Sequence, residues 1–394
     1  MSTLGSKTAM AVEQKTGIWK DTLRRTSSFV MPSLILGLGS RSQLPELVKK
    51  YGNRVCVVSG PNVSKEARVR ATLLKLEQEG MAVQVFSEVP SDPPIKTVNS
   101  CAEFARAMNA NVCLGIGGGS PLDVTKVVAV LLKHDVEVES LIGIGNVPAR
   151  GVPTILVPTT AGSGSEMSPN SILSDTTNHL KKGIVSDHLI ANEALVDPEF
   201  CLSLPPRPTA YTGMDTLTHA IESYTNKFAV PLVDTLALEA IRLVSENLME
   251  AYRNGENPEA RYHMSHASLL GGLCLRSVNT AAVHALAYPL GGRFNVPHGV
   301  ANSLLLPHVM RFNSEVAGER YNVIASVMGF DDAVAGVEQL SRDLGTGRPM
   351  RDFGVQEHHL PEMAKAAMEV QRLLKNNPRT VTEADALAIY RQAW

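Results

Sequence analysis

Four residues in the second half of the chain have the types and the spacing to bind one metal ion. Asp215 and His219 stand four residues apart in a run of helix formers, so both side chains leave the same helical face about one turn apart. His284 and His298 could supply two further ligands. One carboxylate with three imidazoles suits Fe(II) or Zn(II). Taken alone, the Asp-x-x-x-His spacing is more typical of an ordinary polar pair, so its weight depends on the rest of the chain.

A glycine-rich turn in the first half has the composition of a phosphate-binding loop. It lies between a predicted buried strand, residues 111–116, and a predicted helix, residues 122–132. Glycines there let the backbone approach a pyrophosphate, and the helix N-terminus offers free N–H groups and a partial positive charge. The pattern differs from Gly-x-Gly-x-x-Gly, and a simple turn is the alternative. The turn consists of Gly117, Gly118, Gly119 and Ser120.

A second loop, rich in glycine and hydroxyl residues, follows the strand predicted at residues 153–157. Its side chains could hydrogen-bond a phosphate or a nicotinamide, or they could only cap the next helix. The hydroxyl residues of interest in this loop are Thr159, Thr160, Ser163 and Ser165.

The end of an early predicted strand, residues 54–59, bears on the choice of cofactor. In dinucleotide-binding domains an acidic residue just past such a strand bonds the ribose 2′-OH and repels a 2′-phosphate. This chain has Gly60 there, and residues 58–62 contain no carboxylate. We therefore expect NADP, or both NADP and NAD, although the nearest basic residue that could hold the phosphate is Lys65.

The elements that must position these residues fall into two groups. Up to about residue 197 predicted strands and helices alternate, which is typical of a doubly wound, largely parallel sheet. Beyond it, long runs of helical period broken by Pro and Gly predict a helical half. We predict a polar extension at residues 1–27, for which a transit peptide is the alternative, an α/β dinucleotide-binding domain at 28–200, and an all-α metal-binding catalytic domain at 201–394.

Composition excludes several classes of protein. The chain has 394 residues, 44% of them hydrophobic and 19% charged, and its formal net charge is −2. This balance gives no reason to expect nucleic acid or an anionic membrane as a partner, and no apolar run approaches the roughly 20 residues of a membrane-spanning helix. The five cysteines include no Cys-x-x-Cys pair. We therefore expect a cytoplasmic protein with reduced cysteines in its core.

Four stretches, in this order and spacing, resemble the iron-containing, or group III, alcohol dehydrogenases. They are residues 117–126, 158–166, 213–222 and 284–299. The resemblance runs from about Pro32 to the C-terminus and is thin after about residue 315. It implies a Rossmann-like N-terminal domain, a helical C-terminal domain, NAD(P), one Fe²⁺ or Zn²⁺ ion in the cleft between the domains, and a homo-oligomer of two or more subunits.

The resemblance also implies roles for single residues. The metal ligands are Asp215, His219, His284 and His298, and the glycine-rich turn at 117–120 holds the pyrophosphate. Leu173 lies on the nicotinamide and adenosine side, and Lys181, beside a second lysine, lies near the cofactor. The complete set of expected cofactor contacts is Gly60, Gly117, Gly118, Gly119, Ser120, Asp123, Thr159, Thr160, Ser163, Ser165, Leu173 and Lys181. The implied reaction is hydride transfer between the nicotinamide and a small alcohol, aldehyde or ketone activated by the metal.

Two departures from the family pattern affect the substrate side. Most members carry a second histidine four residues after the third ligand. This chain has Tyr288 there, which either conducts a proton or only packs in the cleft wall. The segment before His284 is partly similar to the maleylacetate reductases, and its Arg276 could meet a substrate carboxylate or extend to solvent. A maleylacetate-type or oxoacid reductase is therefore the alternative function.

Overall fold

The structure is a computed structural model that describes residues 25, 26, 28–175 and 180–394. The polar extension predicted for residues 1–27 lies outside the described residues apart from Arg25 and Thr26. In the described chain, a parallel sheet with flanking helices occupies the first half, and helices occupy the second. This arrangement confirms the predicted fold class.

The first half is built on two sheets. Its described strands are β1 (Ser33–Leu36), β2 (Arg54–Ser59), β3 (Ala82–Phe86), β4 (Val112–Gly117), β5 (Gly143–Ile144), β6 (Thr154–Pro158), β7 (Asn170–Asp175), β8 (Leu180–Val185) and β9 (Glu193–Val196). Six of them form one sheet in the order β1-β9-β6-β4-β2-β3, and every neighbouring pair is parallel. A smaller sheet, β5-β8-β7, contains the antiparallel pair β7–β8 and was not expected from the sequence.

Helices cover both faces of the main sheet. They are α1 (Leu44–Lys49), α2 (Ala67–Gln78), α3 (Ile95–Ala107), α4 (Gly119–Lys133) and the single turn α5 (Val138–Leu141). Strand β2 shows why two apolar layers are needed. Its Val55 and Val57 join a core cluster with α1 and α2, whereas Cys56 and Val58 join another with α3 and α4. A strand buried on both faces reads as a continuous apolar run, as predicted for this segment.

The second half consists of helices that share one apolar core. They are α6 (Pro206–Thr225), α7 (Pro231–Arg253), α8 (Pro258–Ser277), α9 (Ala282–Phe294), α10 (His298–Met328), α11 (Ala333–Asp343), α12 (Leu360–Met368), α13 (Gln371–Leu374) and α14 (Glu383–Ala393). Three of the longer helices begin with proline at the first helical position, where its missing N–H costs nothing. Helix α6 packs its apolar residues, such as Leu217 and Ile221, into this core. Thr216 of the same helix donates instead to the carbonyls of Ala161 and Gly162 in the first half.

The cysteines and the helix lengths test two further expectations. All five cysteines are free and buried, which confirms that they serve as small core residues. Among the described residues, no single helix combines the length and apolar composition needed to cross a membrane, and only α8 with α9, a pair bent by 104°, reaches them together.

Candidate metal and cofactor site

A cavity of about 660 Å³ lies between the carboxyl ends of β2 and β4 and the helical half. Residues 60–63 and 118–121 form its wall on the sheet side. Asp215 and His219 of α6, together with His284 of α9, form part of the opposite wall. In open α/β sheets, ligands bind outside the carboxyl ends of the strands. The cavity therefore lies where a cofactor and a metal could share one space.

The glycine-rich turn forms the sheet-side wall through three of its four residues. Gly118, Gly119 and Ser120 line the cavity, and α4 begins at Gly119 rather than at residue 122 as predicted. Gly117 does not line the cavity. A Cβ on it would lie 2.7 Å from Cγ of Pro121, so this glycine allows the strand end to approach the first turn of α4. The N-terminus of the 15-residue helix α4 thus points its free N–H groups at the cavity.

The second loop contributes three hydroxyls to the same wall. Thr160, Ser163 and Ser165 line the cavity. Thr159 does not, because it is buried and its backbone N–H donates to the carbonyl of Gly117 at 2.9 Å. Thr159, one of the expected cofactor contacts, thus lies outside the cavity lining, and its backbone links the two loops.

Close backbone packing holds the second loop against the helical half. Gly164 has φ = +58°, and a Cβ on it would lie 2.5 Å from Cα of Gly272 in α8. Thr216 of α6 donates its hydroxyl to the carbonyls of Ala161 and Gly162, each at 3.2 Å. These contacts fix the position of the loop hydroxyls relative to the metal-binding candidates on α6.

Asp123 reaches the cavity wall, but its carboxylate is already occupied by internal hydrogen bonds. It accepts one from the backbone N–H of Ile172 at 2.9 Å and another from the Ser165 hydroxyl. The fully buried Lys126 donates to Ser165 at 2.7 Å and to the carbonyl of Asn170 at 2.7 Å. Asp123 and Lys126 together brace the second loop and β7.

The antiparallel pair β7–β8 decides which predicted residues face the cavity. Leu173 was expected beside the cofactor, but it is fully buried in the core behind the sheet, and Ile172 lines the cavity instead. Successive side chains of a strand point to opposite faces, which explains the exchange. The same alternation separates Lys181 from Lys182, and Lys181 lines the cavity.

Lys181 does not present a free charge to the cavity. Its ammonium forms an ion pair with Asp92, which also lines the cavity. The backbone N–H of Asp92 donates to the hydroxyl of Ser120 at 3.2 Å, so the pair lies beside the glycine-rich turn. Gly60 and Asn62 line the cavity at the end of β2, whereas Lys65 is exposed and lies outside the lining residues.

The four predicted metal ligands converge, three of them tightly. Ligand atoms of Asp215, His284 and His298 all lie within 4.8 Å of one another. Oδ1 of Asp215 is 3.6 Å from Nε2 of both histidines. Nε2 of His219 lies 3.9 Å from the same oxygen, and its ring stacks on His284 with centroids 4.8 Å apart. His219 thus stands beside the three-residue group, at its edge.

These separations fit one ion of the predicted kind. Bonds of about 2.0–2.2 Å to a shared tetrahedral ion place neighbouring ligand atoms roughly 3.4 Å apart. The observed 3.6–3.9 Å from Oδ1 of Asp215 to the three imidazole nitrogens needs shifts of only a few tenths of an ångström. The donor set, three nitrogens and one carboxylate oxygen, suits Fe²⁺ or Zn²⁺.

Asn302, which sequence reasoning missed, lies at the centre of this group. Its amide nitrogen donates to Oδ1 of Asp215 at 2.7 Å and lies 3.1 Å from Nε2 of His284 and 3.3 Å from Nε2 of His298. The amide nitrogen of Asn302 thus lies within 3.3 Å of one ligand atom from each of these three residues. The available signal was spacing, because Asn302 follows His298 by four residues on α10.

Glu222 was also missed, and it orients His284. Its carboxylate accepts from Nδ1 of His284 at 2.6 Å and from the backbone N–H groups of Ala281 and Val283 at 3.0 and 2.7 Å. A ring that donates from Nδ1 keeps Nε2 available as a metal ligand. Glu222 follows His219 by three residues on α6, and this spacing could have identified it.

The charges of the group shift each pKa. Burial alone would raise the pKa of Asp215, but the neighbouring His219 and His298 hold it well below its ordinary value. Burial lowers the pKa of His219 to about 4 and also lowers that of His298. Burial would lower the pKa of His284 too, but Glu222 and Asp215 raise it to about 9. Two imidazoles are therefore held in the neutral form that binds metal ions.

Tyr288 and Arg372 lie in the cavity wall, whereas Arg276 does not. Tyr288 lines the cavity, and its hydroxyl oxygen accepts a hydrogen bond from Nη2 of Arg372 at 2.6 Å. Arg276 was expected to meet a substrate carboxylate if it faced the cleft. It does not line the cavity, and its guanidinium pairs with Asp187, with Nε 2.6 Å from Oδ1. The structure thus gives the cavity a different guanidinium, that of Arg372.

Comparison with known proteins covers both halves of the chain. The sequence profile described as "Iron-containing alcohol dehydrogenase" matches residues 32–198, and "Fe-containing alcohol dehydrogenase family, C-terminal" matches residues 209–394. The chain is 39% identical over 374 residues to long-chain-alcohol dehydrogenase 1 of Geobacillus thermodenitrificans, covering 91% of this chain and 94% of that protein. It is 35% identical over 377 residues to sulfoacetaldehyde reductase of Bilophila wadsworthia, covering 92% and 97%.

Solved structures show the same similarity in three dimensions. The crystal structure of a 1,3-propanediol oxidoreductase superimposes with a TM-score of 0.91 at 34% identity, covering 94% of this chain and 100% of that one. Sulfoacetaldehyde reductase from Bifidobacterium kashiwanohense, solved in complex with NAD⁺, superimposes with a TM-score of 0.85 at 28% identity, covering 93% and 98%.

Proposed function

The chain belongs to the iron-containing alcohol dehydrogenase family, and on that basis we propose that it is a metal-dependent, NAD(P)-linked alcohol dehydrogenase, equally able to act as an aldehyde or ketone reductase. By name, its relatives are dehydrogenases and reductases of alcohols and aldehydes, among them a long-chain-alcohol dehydrogenase, a sulfoacetaldehyde reductase and a 1,3-propanediol dehydrogenase. The reaction is hydride transfer between the substrate carbon and the nicotinamide.

One observation carries the proposal. The N-terminus of α4 and the ligand atoms of Asp215, His219, His284 and His298 face a single cavity. A pyrophosphate bound at the N-terminus of α4 and a divalent ion bound by the four ligand residues would place a dinucleotide and a metal in the same space. Neither feature alone would indicate this chemistry.

The proposed metal centre uses the predicted ligands Asp215, His219, His284 and His298. When bound, an Fe²⁺ or Zn²⁺ ion would supply Lewis-acid activation of the alcohol or carbonyl oxygen. Asp215 supplies the negative charge that offsets the ion, and Glu222 fixes the ring of His284 so that Nε2 faces the centre.

The proposed cofactor site is the sheet-side wall. Gly118, Gly119 and Ser120 would receive the pyrophosphate at the N-terminus of α4, where free N–H groups and the helix dipole favour an anion. The hydroxyls of Thr160 and Ser163, on the same wall, would hydrogen-bond the cofactor. These contacts orient the nicotinamide and exclude water from it.

Gly60 supports the use of NADP, or of both cofactors. It lines the cavity where an acidic residue would select against a 2′-phosphate. A carboxylate at this position would also repel the phosphate, and glycine leaves the space open. The exposed Lys65 lies outside the cavity lining, so the preference for NADP would come from absent repulsion rather than from a clamp.

Tyr288 is the proposed group for exchange of the proton. It lies one helical turn after His284 and lines the cavity. Its hydroxyl oxygen accepts from Arg372, which leaves the hydroxyl proton free to be donated towards the substrate.

We further propose that the boundary between the two domains lies near residue 200, that the protein forms a homo-oligomer, and that it is cytoplasmic.

A maleylacetate-type reductase, or another oxoacid reductase that holds its substrate through Arg276, is not the favoured alternative. Its premise was a contact between Arg276 and a substrate carboxylate, and Arg276 instead pairs with Asp187 outside the cavity. The relatives reported above act on alcohols and aldehydes by name.

A combined metal and activity assay tests the proposal. The purified protein is analysed for bound metal, stripped with a chelator, and reloaded with Fe²⁺ under anaerobic conditions or with Zn²⁺. Each form is then screened against alcohols and aldehydes with NADH and NADPH at 340 nm. We expect turnover only in the reloaded forms. Full turnover in the stripped protein would contradict metal dependence, and no turnover with any nicotinamide would contradict the reaction.

A further inference from the structure

The guanidinium of Arg372 lies in the cavity wall, on the side of Tyr288. Arg372 is in α13, is half-buried and lines the cavity. Its Nη2 donates to the Tyr288 hydroxyl at 2.6 Å, and its Cζ lies 5.7 Å from the centre of the Tyr288 ring. The phenol therefore holds the guanidinium close to α9, the helix that also carries the metal-binding candidate His284.

The strand below Arg372 leaves room for it. A Cβ on Gly183 of β8 would lie 3.0 Å from Nη2 and 3.1 Å from Cζ of Arg372. A side chain at that position would require the guanidinium to shift by a few tenths of an ångström. Lys181 lies two residues earlier on β8, so it faces the same side of the strand, and it too lines the cavity.

Arg372 differs from the neighbouring cations in its partners. Lys181 pairs with Asp92, Arg276 with Asp187, and Arg293 with Glu362. Among the described residues, no carboxylate forms an ion pair with Arg372, and its side-chain partner is the neutral Tyr288. A partly desolvated guanidinium without a counter-ion is a strong site for a carboxylate, sulfonate or phosphonate, because its planar donors match two oxygens at once.

We propose that the substrate of this enzyme is a short aldehyde or alcohol that carries an acid group, and that Arg372 binds that group. The inference rests on the proposed function and leaves its reaction unchanged, since it concerns the end of the substrate remote from the reacting carbon. Tyr288 lies four residues after His284, which is roughly 6 Å along a helix. Because the guanidinium of Arg372 lies 2.6 Å from the Tyr288 hydroxyl, the acid group would bind beside Tyr288.

Kinetics with a matched pair of aldehydes tests the inference. Succinic semialdehyde and butanal have the same chain length and differ in the terminal carboxylate. We expect the wild-type enzyme to have a higher kcat/KM for the acid. We expect Arg372→Met to lower that value by about 10–100-fold, mainly through KM, and to change the value for butanal by less than about 3-fold.

Two further variants separate charge from structure. Arg372→Lys keeps the charge but loses the two-pronged geometry, so it should recover part of the preference for the acid. Arg276→Met removes the guanidinium that pairs with Asp187 outside the cavity, and it should leave the ratio of the two kcat/KM values unchanged. Equal losses for both aldehydes in Arg372→Met, or a wild-type enzyme with no preference for the acid, would overturn the inference.

A binding measurement makes the test independent of turnover. Butyrate and ethanesulfonate are titrated into the purified metal-containing protein by calorimetry, with 1-butanol as the neutral comparison. We expect the anions to bind to wild-type protein and at least about 10-fold more weakly to Arg372→Met. If the enzyme turns over no alcohol, the proposed function fails, while anion binding still decides the role of Arg372.

The cofactor is the other anion that Arg372 could meet. Fluorescence titration of NADPH and NADH into wild type and Arg372→Met distinguishes a contact with the acid group of the substrate from a contact with the cofactor. Unchanged dissociation constants for both nucleotides support a substrate contact. Weaker nucleotide binding together with unchanged binding of butyrate would assign Arg372 to the cofactor and overturn the inference.

Discussion

Oε2 of Glu222 lies 2.6 Å from Nδ1 of His284, and both side chains are buried. The carboxylate also accepts from two backbone N–H groups at the start of α9, so it joins α6 to α9 at the metal-binding candidates. A carboxylate behind a histidine ligand fixes its tautomer and ring orientation. The relationship makes Glu222 a positioning residue for the proposed centre.

Replacing Glu222 by Gln should weaken metal binding while keeping the side chain's shape. Glutamine has one acceptor oxygen, and its NH₂ group would face an N–H donor, so His284 or the backbone loses its partner. We expect about 10–100-fold weaker affinity for Zn²⁺. Competition with a chelator measures the affinity for Zn²⁺. The control is Glu239→Gln, because Glu239 lies on α7 and pairs with Arg242. Unaltered affinity in Glu222→Gln would remove the positioning role.

His284→Ala should abolish turnover and leave the fold largely intact. The substitution removes one of the atoms that converge on Asp215. We expect turnover to fall by more than the roughly 10–100-fold that the loss of a residue behind a metal ligand costs. Activity is measured with the best alcohol found, and circular dichroism checks the fold. His134→Ala, a histidine whose Nε2 lies 3.2 Å from the carbonyl of Arg150, should remain active. Full activity of metal-free His284→Ala would contradict the proposed centre.

Gly60→Asp should move the cofactor preference towards NADH. A carboxylate at the end of β2 would repel a 2′-phosphate and could accept from a ribose 2′-OH. We expect the ratio of kcat/KM for NADPH to that for NADH to fall by about 10-fold or more. Gly60→Ala is the matched control, because its Cβ would lie an ordinary 3.4 Å from the carbonyl of Val89. The same change of ratio in both variants would show that charge is not the cause.

Glu166 should make the stability of the protein depend on pH. Burial raises its pKa from 4.5 to about 7, against the opposing effect of Lys126. A raised pKa means that the folded state holds a proton that the unfolded state has lost, so the stabilisation is complete below pH 4.5 and is lost as pH rises through 7. The free energy of unfolding should fall by on the order of 1–3 kcal/mol across this range.

The variant Glu166→Gln isolates this contribution. Glutamine resembles the protonated acid at every pH, so its free energy of unfolding should lack the decline between pH 4.5 and 7. Urea unfolding of both proteins at pH 5 and pH 8 gives the comparison. An identical decline in wild type and variant would assign the pH dependence to other groups.

Much of the first half could be predicted from local sequence. Strands β2 and β4 lie within one residue of the predicted runs at 54–59 and 111–116, because a strand buried on both faces leaves a continuous apolar signal. The small sheet of β5, β7 and β8 was missed. Strand β5 has only two residues, and β7 and β8 include polar residues such as Asn170, Lys181 and Lys182, so none of the three leaves a continuous apolar signal.

The sequence by itself determined the spacing of Asp215 and His219 on one helical face and the glycine-rich turn between β4 and α4, because both depend on neighbouring residues and helical or strand period. Only the tertiary structure decided that His284 and His298 join them, that Leu173 is buried in the core, and that Arg372 rather than Arg276 lies in the cavity. Those outcomes depend on how helices and strands far apart in the chain pack, and packing fixes which face of each element meets the cavity.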